Sequence, residues 1–413
     1  MAEFDSPQSR NEAILQNILG ADNVLLPPQS RIEELLMQLL EEWPVGPQEV
    51  PENDVTFYDY DGTVVASCTA AQFAALEEMP ENPDHTDKGL TSQGWNWSLA
   101  NAKAYVAKYG KLNIGQMYVP TDGKTHVFIN IPADDPSYET TLYFGHTTAS
   151  GQTVIDWGDG TPTETASGES AAEHSHTYAN PGKYEVTLDT VSGVMSVIGT
   201  NSNRTGTHFA GSGDYARNLS RIEEIHFASN VSIENYALAY CCALRSVTIP
   251  NGATSIGSSA TRYCYALQSV TIPDSVTSIG DYAFYSCYAL QSVTIPEGVA
   301  SIWDNAFYSC YALQSVTIPE GVASIGNSTF ANCRALQSVT IPEGVTSVGN
   351  YAFQSCYAIV ACRFKRNTPP ALSNSNAFNG ISTDTVFYVP AASLNAYKTA
   401  NNWSTYADRM IGE

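Results

Sequence analysis

Two aspartates raise the first chemical question. In the stretch FYDYDGTVV, Phe57 to Val65, apolar residues lead into Asp59, one residue separates it from Asp61, and Gly62 and Thr63 follow. A carboxylate at a strand end can attack phosphorus while a second, two residues on, handles the proton. Phosphoryl transfer by such a pair also needs a cation against the phosphate and carboxylates to hold Mg²⁺, brought together at the ends of alternating strands and helices. Lys103, Lys108, Asp134 and Asp135 are available, yet no strand–helix alternation fills the interval before the next β-rich segment. A motif counts only in its structural context, so Asp61 and Gly62 are expected to form a turn between two strands.

Other residues invite weaker chemistry. Asp156 and Asp159 in DWGDG place carboxylates close together in a turn, as a hard-oxygen Ca²⁺ site would, but without the spacing of an EF-hand loop. Turn formation is the expected role. His174 and His176 share one face of a strand with no third metal ligand in sight. No cofactor or metal is expected.

Aromatic columns are the better candidates. The segment LQSVTIP recurs at Leu267, Leu290, Leu313 and Leu336, 23 residues apart, with LRSVTIP at Leu244. Such a period makes a solenoid, in which each unit buries its apolar face by stacking on its neighbours. In the unit from Leu267 to Ala289, Val270 and Ile272 point inward from a strand, and Val276 and Ile279 form a second inward run. Phe284 and Cys287 face the core from a helical turn.

Tyr285 and Tyr288 then flank that core, partly exposed. Tyr308 and Tyr311 repeat them one coil on, and Tyr265, Arg334 and Tyr357 continue the column. Aligned aromatics with a polar tip suit contacts to sugars or proteins, or else form a structural stack. Trp303 stands where sister coils have Gly280, Gly326 and Gly349, and is the first single residue expected to touch a ligand. Outward Ser269 and Thr271 form hydroxyl columns, either a flat ligand ladder or the solvated side of a strand.

Cysteines 241, 264, 287, 310, 333 and 356 occur once per coil and read as a buried ladder of free thiols, since parallel stacked side chains do not meet disulfide torsions.

The elements that carry these residues change along the chain. Arg10 to Leu19 and Ser30 to Trp43 have apolar residues at helical spacing, with Ser9 and Ser30 as N-caps. From Asp54 to about Asp135, VTFYDY and THVFINI surround a helical stretch near Ser98 to Lys108. Thr141 to Val191 alternates strand and turn as a small β-sandwich does. A first coil, Ile222 to about Cys241, is degenerate, and the tail DTVFYVP then AASLNAYKTANNW closes the solenoid around Trp403.

Of 42 acidic residues, 21 lie in residues 1–135 against 7 basic ones, while residues 204–366 carry 10 and 9. No basic stripe exists for nucleic acid, and anionic membrane surfaces are disfavoured. The N-terminus lacks the pattern of an ordinary secretory signal, and no apolar run approaches the ~20 residues that cross a bilayer.

Several segments resemble known families. FYDYDGT resembles the opening motif of haloacid-dehalogenase-type phosphatases. LQSVTIPDSVTSIGDYAFYSCYAL resembles the BspA-type leucine-rich repeat over 204–366, and NAFNGISTDTVFYVPAASLNAYKTANNW resembles the closing segment of such proteins. DWGDG with HTYANPGKYEVTL looks like a polycystic-kidney-disease (PKD) domain, an immunoglobulin-like sandwich. VTFYDYDGTVV followed by GLTSQGWNW resembles the internalin B-repeat, a β-grasp-like module. SRNEAILQNILG and PQSRIEELLMQLLE look like leader segments of tail-associated proteins of phages and prophages of gut Firmicutes.

The expected architecture is therefore multidomain and mainly β. It comprises a helical attachment segment (1–50), a β-grasp-like module (51–137), a PKD-like sandwich (138–203), a leucine-rich-repeat solenoid (204–366) and a C-terminal cap (367–413). The resemblances imply a non-enzymatic adhesion or recognition protein on a virion or bacterial surface. It would bind a protein or glycan through the solenoid and self-associate or attach to a particle through its N-terminal helices. A cell-surface BspA-like adhesin is the alternative, and a phosphatase using Asp59 and Asp61 the remote one.

Overall fold

The computed structural model describes residues 54–59, 64–88, 90–95, 99–109, 112–133, 138–199, 209, 221–229, 231–250 and 252–413. The expected N-terminal helices, Asp61, Asp134 and Asp135 lie outside the described residues. Among the described residues the protein is mainly β.

A first mixed sheet holds strands β1 (Val55–Tyr58), β2 (Val64–Cys68), β3 (Leu90–Trp95) and β4 (Leu112–Pro120) in the order β2-β1-β4-β3. β1 and β4 run parallel, and the two outer pairs are antiparallel. Helix α1 (Ala70–Ala75) starts in a capping box of Thr69 and Gln72, and α2 (Leu99–Tyr109) covers the stretch the sequence marks as helical. Phe57, Phe73, Trp95, Ala102, Val106 and Ile114 bury together between these helices and the sheet.

The next strands are β5 (Thr125–Ile131), β6 (Glu139–His146), β7 (Gln152–Asp156), β8 (Glu164–Ser167), β9 (Ala172–Thr177), β10 (Gly182–Ser192) and β11 (Met195–Val197). β5, β10, β7 and β8 form one antiparallel layer, and β9, β6 and β11 the other. Between them Leu142, Phe144, Ile155, Trp157, Tyr178, Val186 and Leu188 are buried.

Both layers continue into the solenoid. β5 pairs antiparallel with β12 (Ile222–His226), and β11 pairs parallel with β13 (Val231–Ile233). THVFINI, grouped by sequence with the preceding module, thus hydrogen-bonds to the sandwich and the solenoid instead. Its alternating Val127, Ile129 and Ile131 face the shared core, which runs unbroken from the sandwich to Met410.

Each solenoid coil contributes to two parallel ladders. One stacks β12, Ser246–Thr248, Ser269–Thr271, Ser292–Thr294 and Ser315–Thr317. The other runs from Ser255–Ile256 to Ala371–Leu372. The inward Val270, Ile272, Val276, Ile279, Phe284 and Cys287 are all buried.

The segment expected as a helical turn is built differently. Tyr282 and Ser286 have φ of 57° and 58°, in the left-handed region, and the pattern repeats at Asn305 and Ser309. Alternate amides close i−3 turns, as Tyr285 N–H does on Tyr282 O, while Tyr282, Phe284 and Ser286 donate to Asp304, Ala306 and Tyr308 of the next coil. The left-handed residues turn every second amide outward along the stack, so this side is also stitched coil to coil.

At the end of the stack, Val386–Val389, helix α3 (Leu394–Thr399) and Met410–Gly412 complete the cap. Trp403 is buried there and donates its Nε1–H to Pro370 O at 2.7 Å. Among the described residues no helix is long and apolar enough to cross a membrane.

Candidate functional site

Stacking at a 23-residue period sets the aromatic columns, and the structure separates them into two. Tyr265, Tyr288 and Tyr311 stack with centroids 4.9 and 4.7 Å apart, and the Arg334 guanidinium lies 4.4 Å over Tyr311. Tyr311 is only 3% exposed, Tyr265, Tyr288 and Arg334 are half-buried, and Tyr357 at the end of the row is 56% exposed.

Tyr285 and Tyr308 form the other column, stacked at 4.9 Å and half-buried. Arg262 sits within 4.7 to 5.2 Å of the rings of Tyr263, Tyr285 and Tyr282, and Tyr282 is exposed. Burial, with the neighbouring tyrosines adding to it, holds the phenols of Tyr285 and Tyr288 above the usual range. These tyrosines therefore stay neutral, with their rings given to stacking.

Trp303 departs from its column. At Gly280, Gly326 and Gly349 a Cβ would meet backbone of the preceding coil at 2.6, 2.7 and 2.5 Å, so the coils approach too closely for a side chain. Gly326 and Gly349 also donate to Ile302 O and Ile325 O, continuing the second ladder. Among the described residues Trp303 makes no such bond to Ile279, and the neighbouring Ala300 N–H to Thr277 O distance lengthens to 3.4 Å, against 2.8 to 2.9 Å in other coils. Only Ile279 and Ile302 remain paired there. The indole is 52% exposed. A large apolar side chain thus opens a backbone ladder and still meets solvent.

The other candidate positions are occupied by structural contacts. Asp59 is buried and accepts from His85 Nε2 at 2.6 Å, tying the 80–88 loop to the end of β1. Lys103 donates to Leu76 O. Asp156 accepts from Gly158 N–H, and Asp159 from the Thr161 N–H and hydroxyl and from His176 at 2.7 Å. Partial burial opposes ionisation of Asp159, but these donors outweigh it and hold the carboxyl down to about 2. His174 pairs with Glu164 at 2.6 Å, and His176 stacks on Trp157. From one face of β9, His176 thus braces the DWGDG turn and His174 the start of β8.

The side chains of Ser269 and Thr271 lie outside the described residues, and the described members of the hydroxyl columns are not uniformly solvated. Thr248, Thr294 and Thr317 are buried, Ser315 is half-buried and Ser338 is exposed. The 23-residue period carries no signal for this burial, because it describes each coil and not what lies over it.

All nine cysteines are free. Cys264, Cys287, Cys310, Cys333 and Cys356 each place Sγ 3.0 to 3.3 Å from the carbonyl of the residue 26 positions earlier. The thiols are therefore hydrogen-bond donors as well as apolar filler. In the cap the hydroxyl of Thr385 takes the same role on Ile359 O.

Comparison with known proteins locates the repeat. Residues 231–360 match the family described as BspA type leucine rich repeat region, in six copies. No curated protein matches the chain. Among solved structures, a leucine-rich repeat protein from Eubacterium ventriosum is 26% identical over 46% of this chain and 48% of its own, with TM-score 0.35. The T. pallidum leucine rich repeat protein is 21% identical over 45% of this chain and 88% of its own, with TM-score 0.32. The pneumococcal vaccine antigen PcpA is 15% identical over 54% and 45%, with TM-score 0.34. The chain thus spans about half the length of two of these three. Residues 231–360 are thus similar to the BspA-type repeat, and they form the two-laddered leucine-rich-repeat solenoid.

Proposed function

We propose that the protein is a non-enzymatic recognition protein, displayed on a virion or bacterial surface, that binds a protein or glycan through the turn side of its solenoid around Trp303. The observation that carries this is Trp303 itself. It is half exposed in a column where sister coils keep glycine, and it interrupts the ladder it belongs to. A residue that opens backbone hydrogen bonds without burying its ring has its use outside the fold. Exposed Tyr282 and the stacked Tyr285 and Tyr308 extend the surface with rigid amphipathic rings.

The remaining modules are read as spacers and attachment parts. The order β2-β1-β4-β3 with a parallel central pair supports a β-grasp-like first module. The two-layered strands β5 to β11, with the Tyr178 hydroxyl on Trp157 O, support a PKD-like sandwich. Residues 1–50 would attach the protein to a particle or to another copy. Asp59 engaged by His85 in a mixed sheet favours a structural over a phosphoryl-transfer role.

A glycan array and a surface-protein binding screen, run on wild type, Trp303→Gly and Tyr308→Ala, test this. Trp303→Gly restores the residue of the sister coils, so its stability is expected to change by no more than about 1 kcal/mol while binding falls at least ~10-fold. Unchanged binding by both variants would reject the turn side as the contact surface.

A further inference from the structure

The strand side of the solenoid carries an observation of its own. Strand β4 neighbours β12, Ser246–Thr248, Ser269–Thr271, Ser292–Thr294 and Ser315–Thr317 in succession. Five parallel strands at ~4.8 Å spacing span roughly 19 Å, and the nine residues of β4 at ~3.3 Å rise reach roughly 30 Å. One strand can touch all five only by running across them. Because β4 is hydrogen-bonded on both edges, to β1 and β3, it meets the solenoid with its face, as in a crossed packing of two sheets.

The burial pattern follows that footprint. Threonine hydroxyls on the outer side of a solenoid strand should be wet, yet Thr248, Thr294 and Thr317 are only 5%, 6% and 8% exposed. Thr294, Ser315 and Thr317 each have interaction partners. One coil further on, Ser338 is exposed and Thr340 half-buried.

We infer that the strand side of the solenoid from Ile222 to Thr317 is a docking surface for the chain's own β4. The first module is an internal occupant of the face, and outside ligands are left the turn side and the strands beyond Ser338. The hydroxyl columns then serve as a seat for a crossing strand, and recognition by this stretch of the face requires displacement of the module. This holds whatever the ligand of the turn side is.

Cysteine accessibility in the full chain tests it. In a Cys68→Ser background the remaining native thiols are buried. Single reporters Thr248→Cys, Thr294→Cys, Thr317→Cys and Ser338→Cys are then reacted with a maleimide. The first three are expected to label at least ~100-fold more slowly than Ser338→Cys. Equal rates would overturn the inference. A second arm identifies the cover: adding Thr294→Arg and Thr317→Arg to the Thr248→Cys reporter should push β4 away and speed labelling at least ~10-fold, whereas adding Ser338→Arg should not. Slow labelling that ignores the Arg pair would show that something other than β4 shields the face.

Discussion

At residue 281 an aspartate works against itself. Asp281 accepts from the Asp304 N–H at 3.0 Å, and Asp304 in turn accepts from Asn327 N–H, so a column of Asx side chains caps successive coils. Burial raises the Asp281 carboxyl above its ordinary value, the Asp304 N–H pulls it down, and the Asp304 charge adds to the rise. A raised carboxyl binds its proton more tightly in the folded state, so ionisation there opposes folding. That penalty is complete once pH exceeds the raised folded value, and it vanishes below the unfolded value near ~3.9. Asn235 and Asn327 accept from the next coil without a charge. Asp281→Asn is therefore expected to raise Tm at pH 7 and to leave it unchanged near pH 3, as thermal melts at the two values would record. The column was legible in the sequence as a repeat, but its bond was not. Nothing in the letter D distinguishes an outward charge from an acceptor for a backbone amide one coil away.

Each coil is stabilised chiefly by its neighbours, as the phenylalanine ladder makes plain. Phe284, Phe307, Phe330, Phe353 and Phe378 stack nearly parallel with centroids 5.1 to 5.4 Å apart. Removing a ring from the middle leaves a void that two fixed coils cannot close. Phe330→Ala is expected to cost about 3–5 kcal/mol in urea unfolding. A loss under about 1 kcal/mol would mean that the coils relax into the gap. This ladder, the valine–isoleucine strands and the cysteine row could all be read from the 23-residue period, since in-register stacking places identical residues above one another. The turn segment could not. Its left-handed positions hold Tyr, Ser and Asn rather than glycine, so a pair of stitched turns carried the apolar spacing of a helix. Trp303 was visible as the odd residue in its column, but the opened ladder beside it depends on a backbone approach no sequence pattern encodes.

Across the described molecule, sandwich, coils and cap share one core, and the seam between the first two is a strand that the sequence assigned elsewhere. THVFINI has ordinary strand alternation, and its pairing partner lies in the degenerate first coil, where the repeat signal is weakest. Once paired, β5 covers the open end of the first ladder, and Trp403 is buried in the same core within the C-terminal cap. An exposed row of strand amides would otherwise invite pairing with another chain. Sandwich and solenoid should consequently unfold together. Val127 is fully buried at this seam, opposite Val186 on one side and Ile225 on the other. Val127→Ala should remove about 2–4 kcal/mol, in the range of a buried aliphatic truncation. It should lower a single calorimetric transition and speed amide exchange in both β10 and Ser246–Thr248. Two separate transitions, with only the sandwich shifted, would show instead that the solenoid ends at β12 and is stable without its neighbour.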